Sequence, residues 1–66
     1  MKLNIQKLEK IRGEKGLSKA KFARYLSIEQ SVYAKLANST GESVTVKTLN
    51  RIGNALHIDP RELLTR

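Results

Sequence analysis

SKAKFARYLSIEQSVYAKLAN, residues 18 to 38, decides how this chain folds. Apolar side chains fall at Phe22, Ala23, Leu26, Ile28, Tyr33 and Leu36. Phe22, Ala23 and Leu26 form one helical stripe (i, i+1, i+4) and Tyr33 with Leu36 forms another (i, i+3), with the phase broken between Leu26 and Tyr33. One straight helix cannot carry both stripes. The stretch therefore reads as two short helices joined by a tight turn at Ser27, Ile28 and Glu29. A small residue at Ala23, where the helices cross, suits a helix-turn-helix packed at a steep angle.

Upstream, Ile5, Leu8 and Ile11 recur every three residues and define a first helix from about Asn4 to Lys15. Gly16 after a basic last turn stops it, and Gly13 weakens that turn by about 1 kcal/mol relative to alanine. Ser18 is a cap for the second helix, and Leu17 before it is placed to staple onto Phe22. The third helix is expected from about Gln30 to Ala37, with Tyr33 and Leu36 inward and Gln30, Ser31, Ala34 and Lys35 outward. Ser39 to Ser43 form a turn-rich loop. Thr45 caps a fourth helix whose apolar face is Val46, Leu49, Ile52, Ala55 and Leu56. Gly53 either lets this helix approach another element closely or is a mild local weakness. His57 ends it, and Asp59 as cap, Pro60 first and Glu62 third start a fifth short helix from about Pro60 to Leu64, with Ile58 placed to staple onto Leu63. The expected fold is all-α, five helices in a single domain over residues 1–66.

At 66 residues the chain is near the size where one core is only marginally sufficient. It has no cysteine and one histidine, which excludes a disulfide framework and a thiolate metal site. Metal sites and cofactors are not expected. The N-terminus lacks the apolar run of a signal peptide, and no stretch approaches the ~20 apolar residues of a membrane span; a soluble, cytoplasmic protein is the expectation. The net charge is +7, unevenly placed. Residues 1–35 hold nine Lys/Arg against three Glu, whereas residues 36–66 hold four against three acids. A polyanion is the natural partner, with nucleic acid ahead of membrane because lysines interrupt the apolar faces and aromatic anchors are few. Catalysis finds no support. His57 and Asp59 already serve as helix stop and cap, and Ser43 near them lacks a pocket-forming architecture.

The order of Leu8, Ile11 and Arg12 before the unit, Leu17 and Ser18 at its entry, Leu36 and Asn38 at its exit, and Leu49, Ile52, Ala55 and Leu56 beyond resembles the phage repressor and Cro-like helix-turn-helix family over nearly the whole chain. The resemblance implies a repressor-like domain that binds a double-stranded DNA operator, its third helix in the major groove and its second across the backbone. It puts Gln30, Ser31 and Lys35 at base edges with Glu29 at the rim; Glu29 alternatively complements the helix dipole. It puts Lys19, where the family most often has glutamine, at a phosphate, with Lys21, Arg24 and Asn38 as further phosphate candidates. A solvated face explains Lys21 and Arg24 equally well.

The chain departs from the family at several places. Ser27 stands where a left-handed glycine is usual, Lys21 where a capping box has Glu, and Val44 where a proline is frequent. Arg12 commonly pairs with a glutamate that falls here at Ala37. With that acid missing, Arg12 is re-paired with Glu9 or Glu42, or is free to approach phosphate.

A lone reading helix covers few base pairs, so a homodimer on a pseudo-palindromic site is expected, joined through the 39–44 loop and the final helix by Val44, Leu63 and Leu64. Repression by occupying the operator is the expected mechanism for so short a chain, and no small-molecule ligand is evident. Two rivals remain: an antitoxin that also covers a partner protein, and a domain that has kept the fold for protein contacts alone.

Overall fold

A computed structural model describes residues 2–65. Among the described residues four α-helices form: α1 (Ile5–Lys15), α2 (Lys19–Tyr25), α3 (Gln30–Asn38) and α4 (Val46–Leu56). The expected fifth helix is a single 3₁₀ turn, Pro60–Leu63. Asp59 starts it by accepting the Arg61 amide at 2.9 Å, but it closes within four residues against Leu3 and never gains a second turn.

The helix starts follow side-chain chemistry. Asn4, Ser18 and Thr45 each accept an amide hydrogen from the third residue along, at 3.1, 3.2 and 3.2 Å, which satisfies one of the orphan donors of each first turn. Glu29, ahead of α3, makes no such bond with its side chain.

The helix ends share one geometry. Gly16, Ser27, Thr40 and His57 all adopt left-handed backbone conformations, at φ 66, 61, 53 and 55°. In each case the left-handed residue's amide reaches back three residues and the next amide reaches back five: Ile28 N to Ala23 O is 3.0 Å, Gly41 N to Leu36 O 2.8 Å, and Ile58 N to Gly53 O 3.0 Å. These paired bonds close the last carbonyls of the helix. Only the first of the four stops is a glycine, so three L-residues carry a left-handed cost of about 1–2 kcal/mol each.

The core joins α1, α2, α3 and α4 through Leu8, Phe22, Ala23, Leu26, Tyr33, Leu36, Leu49 and Ile52, all buried. Phe22 meets the Tyr33 ring edge to face at 5.6 Å between centroids, a geometry favoured by the ring quadrupoles. Val46 departs from the expected apolar face of α4: it is 63% exposed, because the first turn of the helix stands clear of the core. Gly53 is a point of close approach. A Cβ there would lie 2.9 Å from the Ile58 carbonyl and 2.8 Å from the Pro60 ring.

Residues 2–4, ahead of α1, are part of the fold. Leu3 is fully buried and forms an isolated antiparallel bridge with Leu64. Its amide bonds Gly41 O at 2.9 Å, Asn4 N bonds Leu63 O at 2.7 Å, and Thr65 N bonds Lys2 O at 2.8 Å. Val44 and Leu63 are thus corrected from surface contacts to core residues, at 7% and 0% exposure. Leu64, held by the bridge, is half-buried.

Adjacent residues at this crossing should respond in opposite directions. Gly41 has φ 87°, and a Cβ on it would lie 2.0 Å from the Leu3 carbonyl oxygen, so Gly41→Ala should cost about 3 kcal/mol. Thr40→Gly relieves a β-branched residue from the left-handed region and should gain about 0.5–1 kcal/mol net of chain entropy. Thermal melts check both; a neutral Gly41→Ala would show that the Leu3 backbone is not seated on Gly41.

Candidate nucleic-acid interface

The outward arc of α3 is polar and unobstructed. Gln30, Ser31, Ala34, Lys35 and Asn38 are all exposed and, at 100° per residue, fall within an arc of about 140°. Tyr33 and Leu36 anchor the opposite side in the core. The helix runs one residue beyond the expected Ala37, so Asn38 is its last residue and Ser39 the cap. Glu29 is exposed at the entrance to the arc.

The cations of α2 divide. Lys21 and Arg24 project together from the solvent side, exposed and without an ion-pair partner among the described residues. Lys19 lies roughly 140–160° around the helix from them, at its first position, where its charge helps to lower the pKa of Glu9 on α1. Lys19, Lys21 and Arg24 therefore do not form one cluster. Asn38 belongs to the α3 arc.

Arg12 is re-paired and not free, with two of its guanidinium nitrogens engaged within the fold. Its Nε donates to Glu9 Oε2 at 2.6 Å and its Nη1 donates to the Leu17 carbonyl at 2.9 Å. Of the pairings open in the sequence, Glu9 is the one formed. The other Glu9 oxygen accepts the Tyr33 hydroxyl at 2.9 Å. Partial burial pushes the Glu9 carboxyl up, but hydrogen bonds from Arg12 and Tyr33 outweigh it and hold the group below its ordinary value. Burial first, and then the bond to Glu9, keep the Tyr33 hydroxyl protonated far above its usual range. Ala37, where the family's acid would stand, instead faces the N-terminal segment across a cleft of about 330 Å³ lined also by Lys2, Ile5 and Thr40.

Sequence reasoning missed Tyr25. It is 45% exposed, stacks on Phe22 at 6.4 Å and carries the Lys15 ammonium 4.8 Å above its ring, a cation held by the ring's negative face. The signal was slight: two residues ten apart, on different helices.

A model of the Cro/C1-type HTH DNA-binding domain family matches residues 7–66. The chain belongs to that family. No curated protein and no solved structure matches it. The family is one of DNA-binding domains, so the polar arc of α3 and the cations around it are to be judged against double-stranded DNA. Among the described residues no helix is long and apolar enough to cross a membrane.

The Glu9 network predicts an acid response. A carboxyl whose folded pKa is depressed adds stability that is present above its unfolded value and lost as pH falls through the folded one. Asp59, held down to about 2 by the Arg61 side chain and amide, adds a second loss of the same sign. The melting temperature of the wild type should therefore fall below about pH 4.5, and Glu9→Gln, less stable at pH 7, should lose less. A gap between the two proteins that stays constant from pH 7 to pH 3 would show that Glu9 is not stabilised as the anion.

Proposed function

We propose that the chain is a sequence-specific transcriptional regulator, a repressor that occupies a pseudo-palindromic operator as a homodimer. The observation that carries this reading is the exposed arc of α3, in a chain of the Cro/C1-type DNA-binding family. In the docking that follows, α3 enters the major groove and α2 crosses the backbone. Gln30 can pair with adenine through both amide atoms, Lys35 can donate to guanine, Ser31 is permissive, and Glu29 at the rim can accept from cytosine. Lys19, Lys21, Arg24 and Asn38 serve the phosphates, which fix register without reading sequence.

Dimerisation answers a problem of size. A single module buries roughly 600–1,000 Å² of protein surface on DNA, too little for one site to stand out from a genome. With Val44 and Leu63 turned inward, the apolar side chain left for a self-contact in the 39–44 loop and the final turn is Leu64, with exposed Val46 close by at the start of α4. Two copies related by a dyad put half-sites about one helical turn apart, ~34 Å centre to centre.

Selection of bound duplexes from a random library tests the symmetry, and inverted half-sites at that spacing are the expected result. On the selected duplex, Gln30→Ala should cost about 1–3 kcal/mol and leave random-DNA binding unchanged. Lys19→Ala should weaken binding to both and lower the salt slope by about one. Equal losses on both DNAs for Gln30→Ala would overturn the docking of α3.

A further inference from the structure

We propose that Glu9 is a positioning residue for DNA recognition: one carboxylate sets the seats of both helices of the helix-turn-helix unit. The inference rests on α3 being the reading helix, as proposed above. Glu9 spends its two oxygens on two different elements. Oε1 accepts the Tyr33 hydroxyl at 2.9 Å, and Tyr33 lies in α3, between Ser31 and Lys35. Oε2 accepts Arg12 Nε at 2.6 Å, and Arg12 passes the link on to the Leu17 carbonyl at 2.9 Å, one residue before the Ser18 cap of α2. Both branches start from the same side chain on α1.

Packing alone does not do this job. The α2–α3 contact is made by Phe22, Ala23, Leu26, Tyr33 and Leu36, all buried, and apolar burial holds surfaces together without direction. A hydrogen bond is directional. The Tyr33–Glu9 bond is the one hydrogen bond, among the described residues, by which another α-helix grips α3. With the Tyr33 ring packed perpendicular to that of Phe22 at 5.6 Å and its hydroxyl fixed by α1, α3 is held against roll about its own axis. A roll of about 10° moves the rim of a helix 10–12 Å across by about 1 Å, enough to misalign a bidentate contact from Gln30. Phosphate contacts from mobile lysines tolerate such a displacement. Loss of the Glu9 grip should therefore damage recognition of a particular sequence before it damages binding to DNA in general.

The variants separate this role from simple loss of fold. Tyr33→Phe deletes one oxygen and keeps the ring in the core; Glu9→Gln keeps an acceptor for Tyr33 and removes the anion facing Arg12 and Lys19. The probe is the duplex that the wild-type chain selects from a random library, compared with a random duplex of the same length. Measurements are made at a temperature where circular dichroism shows each variant fully folded. Tyr33→Phe should lower the ratio of selected to random affinity about five- to tenfold while random-duplex binding and its salt slope stay at the wild-type level. Glu9→Gln should lower the ratio less, since it spares the bond to α3. Gln30→Ala is the control. If it lowers the ratio and Tyr33→Phe does not, the positioning role fails alone. If neither does, or if selection enriches no sequence, the positioning role and the docking of α3 fail together.

Discussion

Helices of seven to eleven residues are shorter than the ~12–15 at which an isolated helix becomes even marginal in water, so in this chain the way each helix stops matters as much as how it is built. Every α-helix ends by turning one residue left-handed and bonding its last carbonyls to the two amides that follow. Three of those stops, Ser27, Thr40 and His57, accept a backbone cost that glycine avoids. At Ser27 and His57 the return comes from the next residue: Ile28 and Ile58 are packed against the core directly after the reversal. At Thr40 it comes from Gly41, which seats the backbone of Leu3. Sharp reversals and short helices together leave α3 with Tyr33 and Leu36 in the core and Gln30, Ser31, Ala34, Lys35 and Asn38 in water.

Within that frame α1 is tied to α3 through Glu9. The resemblance implies an acid for Arg12 at the place of Ala37; here Arg12 pairs with Glu9, three residues back on α1, and the Tyr33 hydroxyl makes the crossing to α3. The link is an ion pair on one helix plus a hydrogen bond between helices. The ion pair is partly exposed and contributes modestly by itself. The bond from buried Tyr33 matters more, because its hydroxyl would otherwise lie in the core without a partner.

What could be read in the sequence was local. Ser18, Thr45 and Asp59 as caps, Gly16 as a stop, and the apolar spacing that places α1 to α4 all act over a single turn, and the caps are where the residues implied. The outward set on α3 was legible for the same reason. What could not be read depends on residues far apart in the chain. Leu3 carries no local sign that it pairs with Leu64, so the sequence assigns residues 2 and 3 to no element, counts Asn4 in the first helix, and puts Val44 and Leu63 at a dimer contact. Gly41 looked like one more loop glycine, although its missing Cβ is demanded by a backbone nearly forty residues earlier. The start signal at Asp59 and Pro60 was real, but a start signal does not report length, and a 3₁₀ turn formed where a helix was expected. Arg12 offered three outcomes, of which the ion pair with Glu9 is the one formed.

The bridge between Leu3 and Leu64 has a kinetic side. It closes a loop of about 60 residues, which costs about 3–4 kcal/mol of chain entropy if the ends are brought together before the helices have packed. Burial of Leu3 and three backbone hydrogen bonds offset that cost only once α3, its Gly41 seat and the 3₁₀ turn are in place. The crossing of residues 2–4 with residues 63–65 is therefore expected to form late in folding and to open early in unfolding. Amide exchange at Asn4 and Thr65, faster than in the middle of α4, is where that order would be recorded.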